Sequence, residues 1–522
     1  MNDNVDLLFQ RYGPRYRWYA TATAMVGTIA TVLSTTIINV AIPEIMGAYG
    51  IGEDKAQLFS TAFLATMTGA MLLNAWMIEH YGQRNTFIFS LSLFVFASIL
   101  GGVSPNEDVL VLARALQGIS AGLVQPLAML VIFRVFPVEQ HGKAMGMYGI
   151  GIVLAPALGP TVGGMLVDGL SWRYVFYVAI PFSVLAIVMA NTFLPDREKT
   201  AKTVPLDTLG LALLSIFLYC LLMGLSDGRR LGWDNLLIVG RLTTAALTGV
   251  GFIFWEQRCK NPLLDLTLFA NPRFTAAAVV TVIFGAGIFG STYLIPVFVQ
   301  TVQHYSATQS GLLLMPAGVV MAFAFPIAGN ISDRLPSHIP IALGLAFFGV
   351  STLLFYRVDV NTSFWHLAIL ISFGRIGLSL IMPAVTTASL RSLPPSQLSQ
   401  GSGATNFLRQ LGGAFGVNAI VLRVQGETLN QGAVIAATQT ASNPVTTDLL
   451  QKITSLHQYA GLPFDQANAM AHVYLGQVIA AQASTLAYRE GFIIVGMLFL
   501  FGLLPTWYLK RTSEINSRPT IN

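Results

Sequence analysis

The chain has 522 residues, of which 54% are hydrophobic and only 10% charged, and its formal net charge is +5. Soluble domains carry about 25% charged residues, so this composition excludes a soluble enzyme, a nucleic-acid-binding protein and a disordered chain. A stack of membrane-spanning helices remains, and since one span needs roughly 20 apolar residues, the length accommodates about fourteen of them with mostly short loops.

Long apolar runs without the alternating polarity of barrel strands predict fourteen helical spans. In chain order they are 18–42, 57–78, 86–103, 109–133, 144–167, 173–194, 206–226, 235–255, 272–299, 308–331, 340–356, 364–390, 401–422 and 490–509. The long segment 423–489, rich in Gln, Ala and Thr, is predicted to be an outer loop. Its moderately apolar stretch 467–487 is either an amphipathic cap or part of a passive loop.

The distribution of basic residues predicts the orientation of the chain in the membrane. With the N-terminus inside, 17 of the 29 Lys and Arg residues fall in inner segments and 7 in outer ones. Since basic loops stay in the cytoplasm, both the N-terminus (1–17) and the tail (511–522) are predicted to be cytoplasmic. The first apolar run is too long for the core of a cleavable signal and is predicted to be a retained span.

Weak internal symmetry predicts how the spans are grouped. The loop after span 2 holds Glu79, Gly82 and Arg84, and the end of span 10 holds Gly329, Asp333 and Arg334; spans 4 and 12 carry Arg114 and Arg375. The repeat predicts two six-helix bundles, 18–195 and 272–510, and leaves 206–255 as an inserted helix pair. The loop charges are either a latch between the bundles or simply solvated.

Span 5 combines regularly spaced small residues with prolines. Small residues every four positions form a smooth ridge that lets another helix approach closely, and each proline removes a helical N–H and bends the span. We expect a helix that serves a moving interface; ordinary small-residue packing is the alternative. The residues are Gly151, Ala155, Pro156, Gly159, Pro160, Gly163 and Gly164.

Polar side chains on several spans are candidates for contact with a substrate. An arginine inside a span is costly and faces a cavity or a partner, unless it extends to the interface. Hydroxyl groups in spans often bond only to their own helix. The candidates are Ser34, Thr35, Asn39, Arg114, Gln117, Gln125, Arg375, Asn406 and Arg409.

Together these strings resemble the major facilitator superfamily, and more narrowly its fourteen-span drug:proton antiporters of the EmrB/QacA type. The resemblance rests on the span-5 string, on Leu112–Gly118, on the two loop strings and on Leu33–Pro43. It implies an all-α integral membrane protein with the major facilitator fold, alternating access, small-molecule substrates and protons as coupling ions. It also implies a bacterial inner membrane, with a periplasmic adaptor and an outer-membrane channel as partners in two-membrane bacteria.

The chain departs from that family pattern at the residue that couples protons. Ser34 stands where the span-1 motif of the family usually has an aspartate, and a hydroxyl group does not titrate near neutral pH. The first-half loop is also degenerate, with Ala75, Glu79, His80 and Gln83 at motif positions. The acids nearest to the spans lie at their ends: Glu44, Glu79, Asp168, Glu256 and Glu490.

Three explanations for the missing acid stay open. A peripheral acid carries the proton, or His304 or His366 does, or the protein moves an anion without the usual coupling. Three span arginines facing no mid-span acid favour anions, such as fatty acids or siderophores. The prediction is therefore a secondary exporter of drug-like amphiphiles, with an anion exporter, an importer and a membrane-embedded transferase as successively weaker alternatives. The seven histidines are dispersed, so we expect no metal, no cofactor and no enzyme activity.

Overall fold

The computed structural model describes residues 3–196 and 205–516, which form helices and contain no strand. This confirms the all-α fold class. The helices are α1 (Asp3–Tyr12), α2 (Tyr16–Tyr49), α3 (Glu53–Tyr81), α4 (Gln83–Gly102), α5 (Glu107–Val135), α6 (His141–Gly169), α7 (Tyr174–Tyr177), α8 (Ile180–Phe193), α9 (Thr208–Leu231), α10 (Leu236–Glu256), α11 (Pro272–Thr301), α12 (Ala307–Arg334), α13 (His338–Leu354), α14 (Phe364–Arg391), α15 (Leu398–Ala437), α16 (Pro444–Tyr459), α17 (Phe464–Phe501) and α18 (Leu503–Asn516).

Twelve stretches of the described chain are long and apolar enough to cross a membrane. Helices α6 and α15 are not among the twelve, yet both pack along apolar neighbours: α6 lies along α2 and α12, and α15 lies along α11 and α17. The count of fourteen spans stays a prediction. We call the side on which α2 begins the inner side and the opposite side the outer side.

The long helices form two groups that follow the chain order. In the first, α5 packs against α2, α3 and α4; in the second, α14 packs against α12 and α13, and α15 against α11 and α17. Helix α5 is the interior helix of its group, since almost every residue from Gln117 to Val135 is buried. The groups meet where α6 lies along α12 and where α3 lies along α15. These two seams position the site described below.

Helices α9 and α10 pack on each other and against the first group. Leu214 and Leu218 of α9 share an apolar cluster with Phe63 and Met67 of α3, and α9 also touches α15. Because lipid tails are as apolar as these side chains, close van der Waals packing rather than removal from water holds the helices together here. The pair therefore lies beside the seam between α3 and α15.

The segment predicted as a long outer loop, 423–489, is largely helical. Helix α15 continues to Ala437, α16 follows, and α17 begins at Phe464 and runs unbroken to Phe501. The stretch 467–487, predicted to be an amphipathic cap or part of a passive loop, is the first part of α17, which continues into the last predicted span. Its alanines favour a helix, and no proline interrupts it.

Candidate functional site at the bundle junction

Arg114 lies inside the first bundle and is 1% exposed. Its Nη1 donates to the Ser34 Oγ at 3.0 Å and to the Gln117 Oε1 at 2.8 Å, and its Nε donates to the Phe59 backbone oxygen at 3.3 Å. Gln117 in turn donates from Nε2 to the Ser98 Oγ at 2.9 Å. The guanidinium thus ties α2, α3 and α5 together instead of extending to the outer interface.

Arg375 lies inside the second bundle. Its side chain is 7% exposed and donates from Nη2 to the Thr292 Oγ1 at 3.2 Å. It lines a cavity of about 20 Å³ together with Ser291, Thr352 and Phe492, which come from α11, α13 and α17. The sequence placed both Arg114 and Arg375 in one shared cavity, whereas the structure places each inside its own bundle.

Arg409 is the predicted arginine that reaches the junction between the bundles. Its Nη2 donates to the Asn406 Oδ1 at 2.7 Å and to the Gln125 Oε1 of the other bundle at 3.4 Å. Asn406 Nδ2 also contacts the Met129 Sδ at 3.3 Å, and Ser402 Oγ donates to the Pro126 backbone oxygen at 2.7 Å. We call Gln125, Met129, Asn406 and Arg409 the junction cluster. The cluster places a cation and amide groups at the junction, where a substrate between the bundles would contact them.

The remaining polar candidates on α2 make local contacts. Thr35 donates to the Val32 backbone oxygen at 2.7 Å, so its hydroxyl group bonds to its own helix. Asn39 Oδ1 accepts from the Ser60 Oγ at 3.5 Å. The structure therefore separates the predicted set into an Arg114 network, an Arg375 site, the junction cluster and two side chains with local contacts.

Asp333 closes the inner side of the junction. Its Oδ1 and Oδ2 accept hydrogen bonds from the backbone N–H groups of Gly142 at 2.6 Å and Lys143 at 2.8 Å, at the start of α6. A helix start carries partial positive charge, so a carboxylate there is stabilised. Arg391 Nη2 lies 3.3 Å from the Asp333 Oδ1. Asp333 thereby latches α12 to α6 in the other bundle.

The other predicted latch charges do not form the pairs that their spacing suggests. Arg84, expected to act with Glu79, forms an ion pair with Asp196 inside the first bundle. Arg334, expected to act with Asp333, is exposed. Gly82 has φ +82° and joins α3 to α4, a conformation that favours glycine.

The small-residue ridge of α6 faces its own bundle. A Cβ on Gly159 would lie 2.2 Å from the Thr36 Oγ1, and one on Gly163 would lie 2.8 Å from the Ile37 Cγ1, both on α2. Gly151 and Gly164 also have their nearest atoms on α2, and the side chains of Pro156 and Pro160 lie outside the described residues. The ridge therefore stabilises packing within the bundle in this conformation.

Other glycines of α6 make the close contact across the junction. A Cβ on Gly146 would lie 2.4 Å from the Phe325 backbone oxygen, and one on Gly329 would lie 2.5 Å from the Gly142 backbone oxygen. Sequence reasoning missed Gly142 and Gly146, although their spacing of four can be read from the sequence at the start of the predicted span 144–167. The backbones of α6 and α12 approach so closely that the inner side closes only with glycine here.

Gly329→Val is expected to prevent this closure and to reduce function at least tenfold. The added side chain would meet backbone atoms, which cannot rotate away as a flexible side chain can. Gly311→Val is the matched control on α12, because no atom lies within 4 Å of the position of its Cβ. Reactivity of a single cysteine placed at Lys143 would measure the closure. Equal reactivity in both variants would contradict the prediction.

Comparison with known proteins places these features in a family. A sequence model described as Major Facilitator Superfamily matches residues 24–417. The uncharacterized MFS-type transporter YcnB of Bacillus subtilis is 30% identical over 78% of this chain and 86% of its own length. The multidrug export protein EmrB of Escherichia coli is 28% identical, with 94% of each chain covered, and that of Haemophilus influenzae is 27% identical, over 94% of this chain and 95% of its own.

A solved structure supports the same fold. The human organic anion transporter MFSD10 superposes with a TM-score of 0.60 over 92% of this chain and 99% of its own, at 14% sequence identity. At that identity the likeness concerns the fold alone.

Proposed function

The chain belongs to the major facilitator superfamily and is a multi-pass membrane transporter, and we propose that it exports small amphiphilic, drug-like compounds by ion-coupled antiport. Several relatives carry the names multidrug export protein or multidrug transporter protein. The observation that carries the proposal is the junction itself: Asp333 latches the inner side while Arg409 and Gln125 meet between the bundles. Breaking these contacts as the bundles rock would expose the cluster to the inner side.

An anionic substrate is the second candidate function. Among the described residues, the acceptors of the Arg409 guanidinium are two amide oxygens, so no carboxylate neutralises its charge. A cation held in a water-poor junction attracts anions and amphiphiles that carry a carboxylate. This candidate covers an organic acid, a fatty acid or a siderophore.

Export from inside-out vesicles tests the proposal and separates the candidates. The vesicles would receive a lipophilic cation, a neutral amphiphile and a fatty acid in turn, while internal pH and membrane potential are recorded. Accumulation of the cation or the neutral compound with alkalinisation of the interior supports drug export by proton antiport. Accumulation of the fatty acid alone supports the second candidate, and accumulation of none of them contradicts export.

We place the protein in a bacterial inner membrane with both termini in the cytoplasm, as the distribution of Lys and Arg predicts. A periplasmic adaptor would dock, in a two-membrane bacterium, on the outer surface of the protein. This surface is formed by the end of α15, by the whole of α16 and by the start of α17. Exposed apolar side chains there, such as Tyr459 and Val445, suit such a contact.

Ser34→Asp tests whether position 34 is the vacated coupling site. The Ser34 Oγ lies 3.0 Å from the Arg114 Nη1, so an aspartate here would form a buried ion pair that protonation breaks. We expect transport to become at least fivefold more dependent on the pH gradient. Ser34→Asn, which has the same shape without the charge, is the control. An unchanged dependence in Ser34→Asp would show that coupling lies elsewhere.

A further inference from the structure

A second cavity, of about 610 Å³, lies on the inner side beside α9 and α10. Within residues 3–196 and 205–516, four carboxylates and one lysine line it. Trp76 of α3 and Gln400 of α15 form parts of the same wall, so both bundles and the inserted pair border the cavity. The titratable and charged groups that line it are Glu79, Asp207, Glu256, Asp265, Cys259 and Lys260.

Two of these carboxylates are buried side by side. Asp207 is 7% exposed and Glu256 is 3% exposed. A Cβ on Gly210 would lie 2.2 Å from the Asp207 Oδ2 and 2.7 Å from the Glu256 Oε1, so these two oxygens are less than about 5 Å apart. Position 210 therefore has no room for a side chain between them.

The hydrogen bonds around the pair leave one oxygen without a donor. Asp207 accepts from the Gly210 N–H at 2.9 Å and from the Trp255 Nε1, at 2.9 Å to its Oδ1. Glu256 Oε2 accepts from the Leu264 N–H at 3.3 Å. Glu256 Oε1 is buried and has no donor among the described residues. A buried acceptor without a donor is costly, and a second anion nearby raises that cost.

We propose that Asp207 and Glu256 together hold one exchangeable proton, which the transporter uses for coupling in place of the absent acid of span 1. The proton binds Glu256 at Oε1 and is shared with Asp207 Oδ2 as an O–H···O hydrogen bond; on release it enters the water of the cavity on the inner side. The proposal rests on the ion-coupled export proposed above. A metal ion fits less well, because the described residues contain no group of three or more ligating side chains.

The position of the pair connects it to the movement of the bundles. A Cβ on Gly403 of α15 would lie 2.7 Å from the Met71 backbone oxygen of α3, so these helices touch closely next to the cavity. When the bundles rock, the walls contributed by Trp76 and Gln400 separate, and the water and charge around the pair change. The affinity of the pair for a proton thus differs between the two conformations, which coupling requires.

The electrostatic environment of the cavity is consistent with this proposal. In the loop after α10, the pKa of the Cys259 thiol is raised, first by burial and then by the negative charge of Asp207 and Glu256. Among the described residues, Lys260 is the one lining residue of opposite sign. The negative electrostatic potential of the cavity therefore attracts protons toward Asp207 and Glu256.

Infrared titration of the purified protein in liposomes tests the proton site without any substrate. Glu256→Gln keeps the shape of the side chain and removes its titration, and Glu79→Gln is the matched control, since Glu79 lines the same cavity but is exposed. Between pH 6 and pH 8, where an exposed carboxyl group has already released its proton, we expect the titrating part of the carboxylic-acid band to be one proton equivalent smaller in Glu256→Gln than in the wild type and unchanged in Glu79→Gln. An unchanged titrating band in Glu256→Gln would overturn the proposal. A thermal melt similar to that of the wild type would verify that the variant is folded.

The vesicle assay then tests coupling separately. Between pH 6 and pH 8 we expect the rate of export to change at least fivefold in the wild type and less than twofold in Glu256→Gln. The fivefold change in the wild type corresponds to a coupling free energy of about 1 kcal/mol. Equal pH dependence in both proteins would overturn the coupling role even if the band is lost. Absence of export in the wild type would instead refute the proposed function and leave the infrared result standing.

Discussion

Asp333→Asn is expected to reduce transport at least tenfold and to leave the amount of protein in the membrane unchanged. The carboxylate accepts from two backbone N–H groups at the start of α6 and pairs with Arg391. Asparagine keeps one acceptor and loses the charge, which costs about 3 kcal/mol at a mostly buried site. That loss shifts the balance between the two conformations by roughly 100-fold against the state closed on the inner side.

Asp448→Asn is the control for this substitution. Asp448 pairs with Lys452 one helical turn away on the exposed surface of α16, and such pairs contribute little to stability. Initial export rates in inside-out vesicles would be compared at equal protein content. Wild-type export by Asp333→Asn would refute the role of Asp333 as a latch.

Arg409→Met is expected to weaken transport of an anionic substrate at least tenfold at low substrate concentration and to slow that of a neutral one. Methionine preserves much of the apolar volume, but it leaves the Gln125 and Asn406 amide oxygens without their donor and removes the charge from the junction. For an anion the loss appears as a KM at least tenfold higher. For a neutral compound it appears in the maximal rate alone, because only closure of the junction is affected.

Arg423→Met on the same helix is the matched control for Arg409→Met. Its guanidinium is about half exposed and pairs with Glu427 and Glu490 near the outer end. We expect less than a twofold change in either constant. An equal loss of transport in both variants would show that transport depends on any positive charge on α15, and would contradict a specific role of Arg409.

Much of the candidate site follows from patterns within single helices. The spacing of Arg114 and Gln117 predicts that they share a face, and the structure joins them at 2.8 Å. Asn406 and Arg409 are likewise three apart and bonded at 2.7 Å. These relations depend only on the helical repeat, so they can be derived before any helix is packed.

Partners on other helices could not be derived in this way. Asp333 is 191 residues from Gly142, and Arg84 is 112 residues from Asp196. Arg334 lies next to Asp333 in the sequence, and Glu79 lies five residues before Arg84. Because both neighbours carry a charge of the opposite sign, the spacing suggests pairs that the structure does not contain among its described residues. The choice depends on which helix ends meet when the bundles assemble.

The sequence by itself determined the all-α membrane fold and the polar faces of the helices, and it predicts the two repeated halves. Hydropathy and a 3.6-residue repeat act locally and are therefore readable along the chain. Only the tertiary structure decided that Arg409 reaches the junction while Arg114 and Arg375 do not, that Gly142 and Gly146 meet α12, and that Asp207 and Glu256 are neighbours. The physical reason is that these relations arise from the packing of helices distant in the chain, where a few ångströms decide which groups meet.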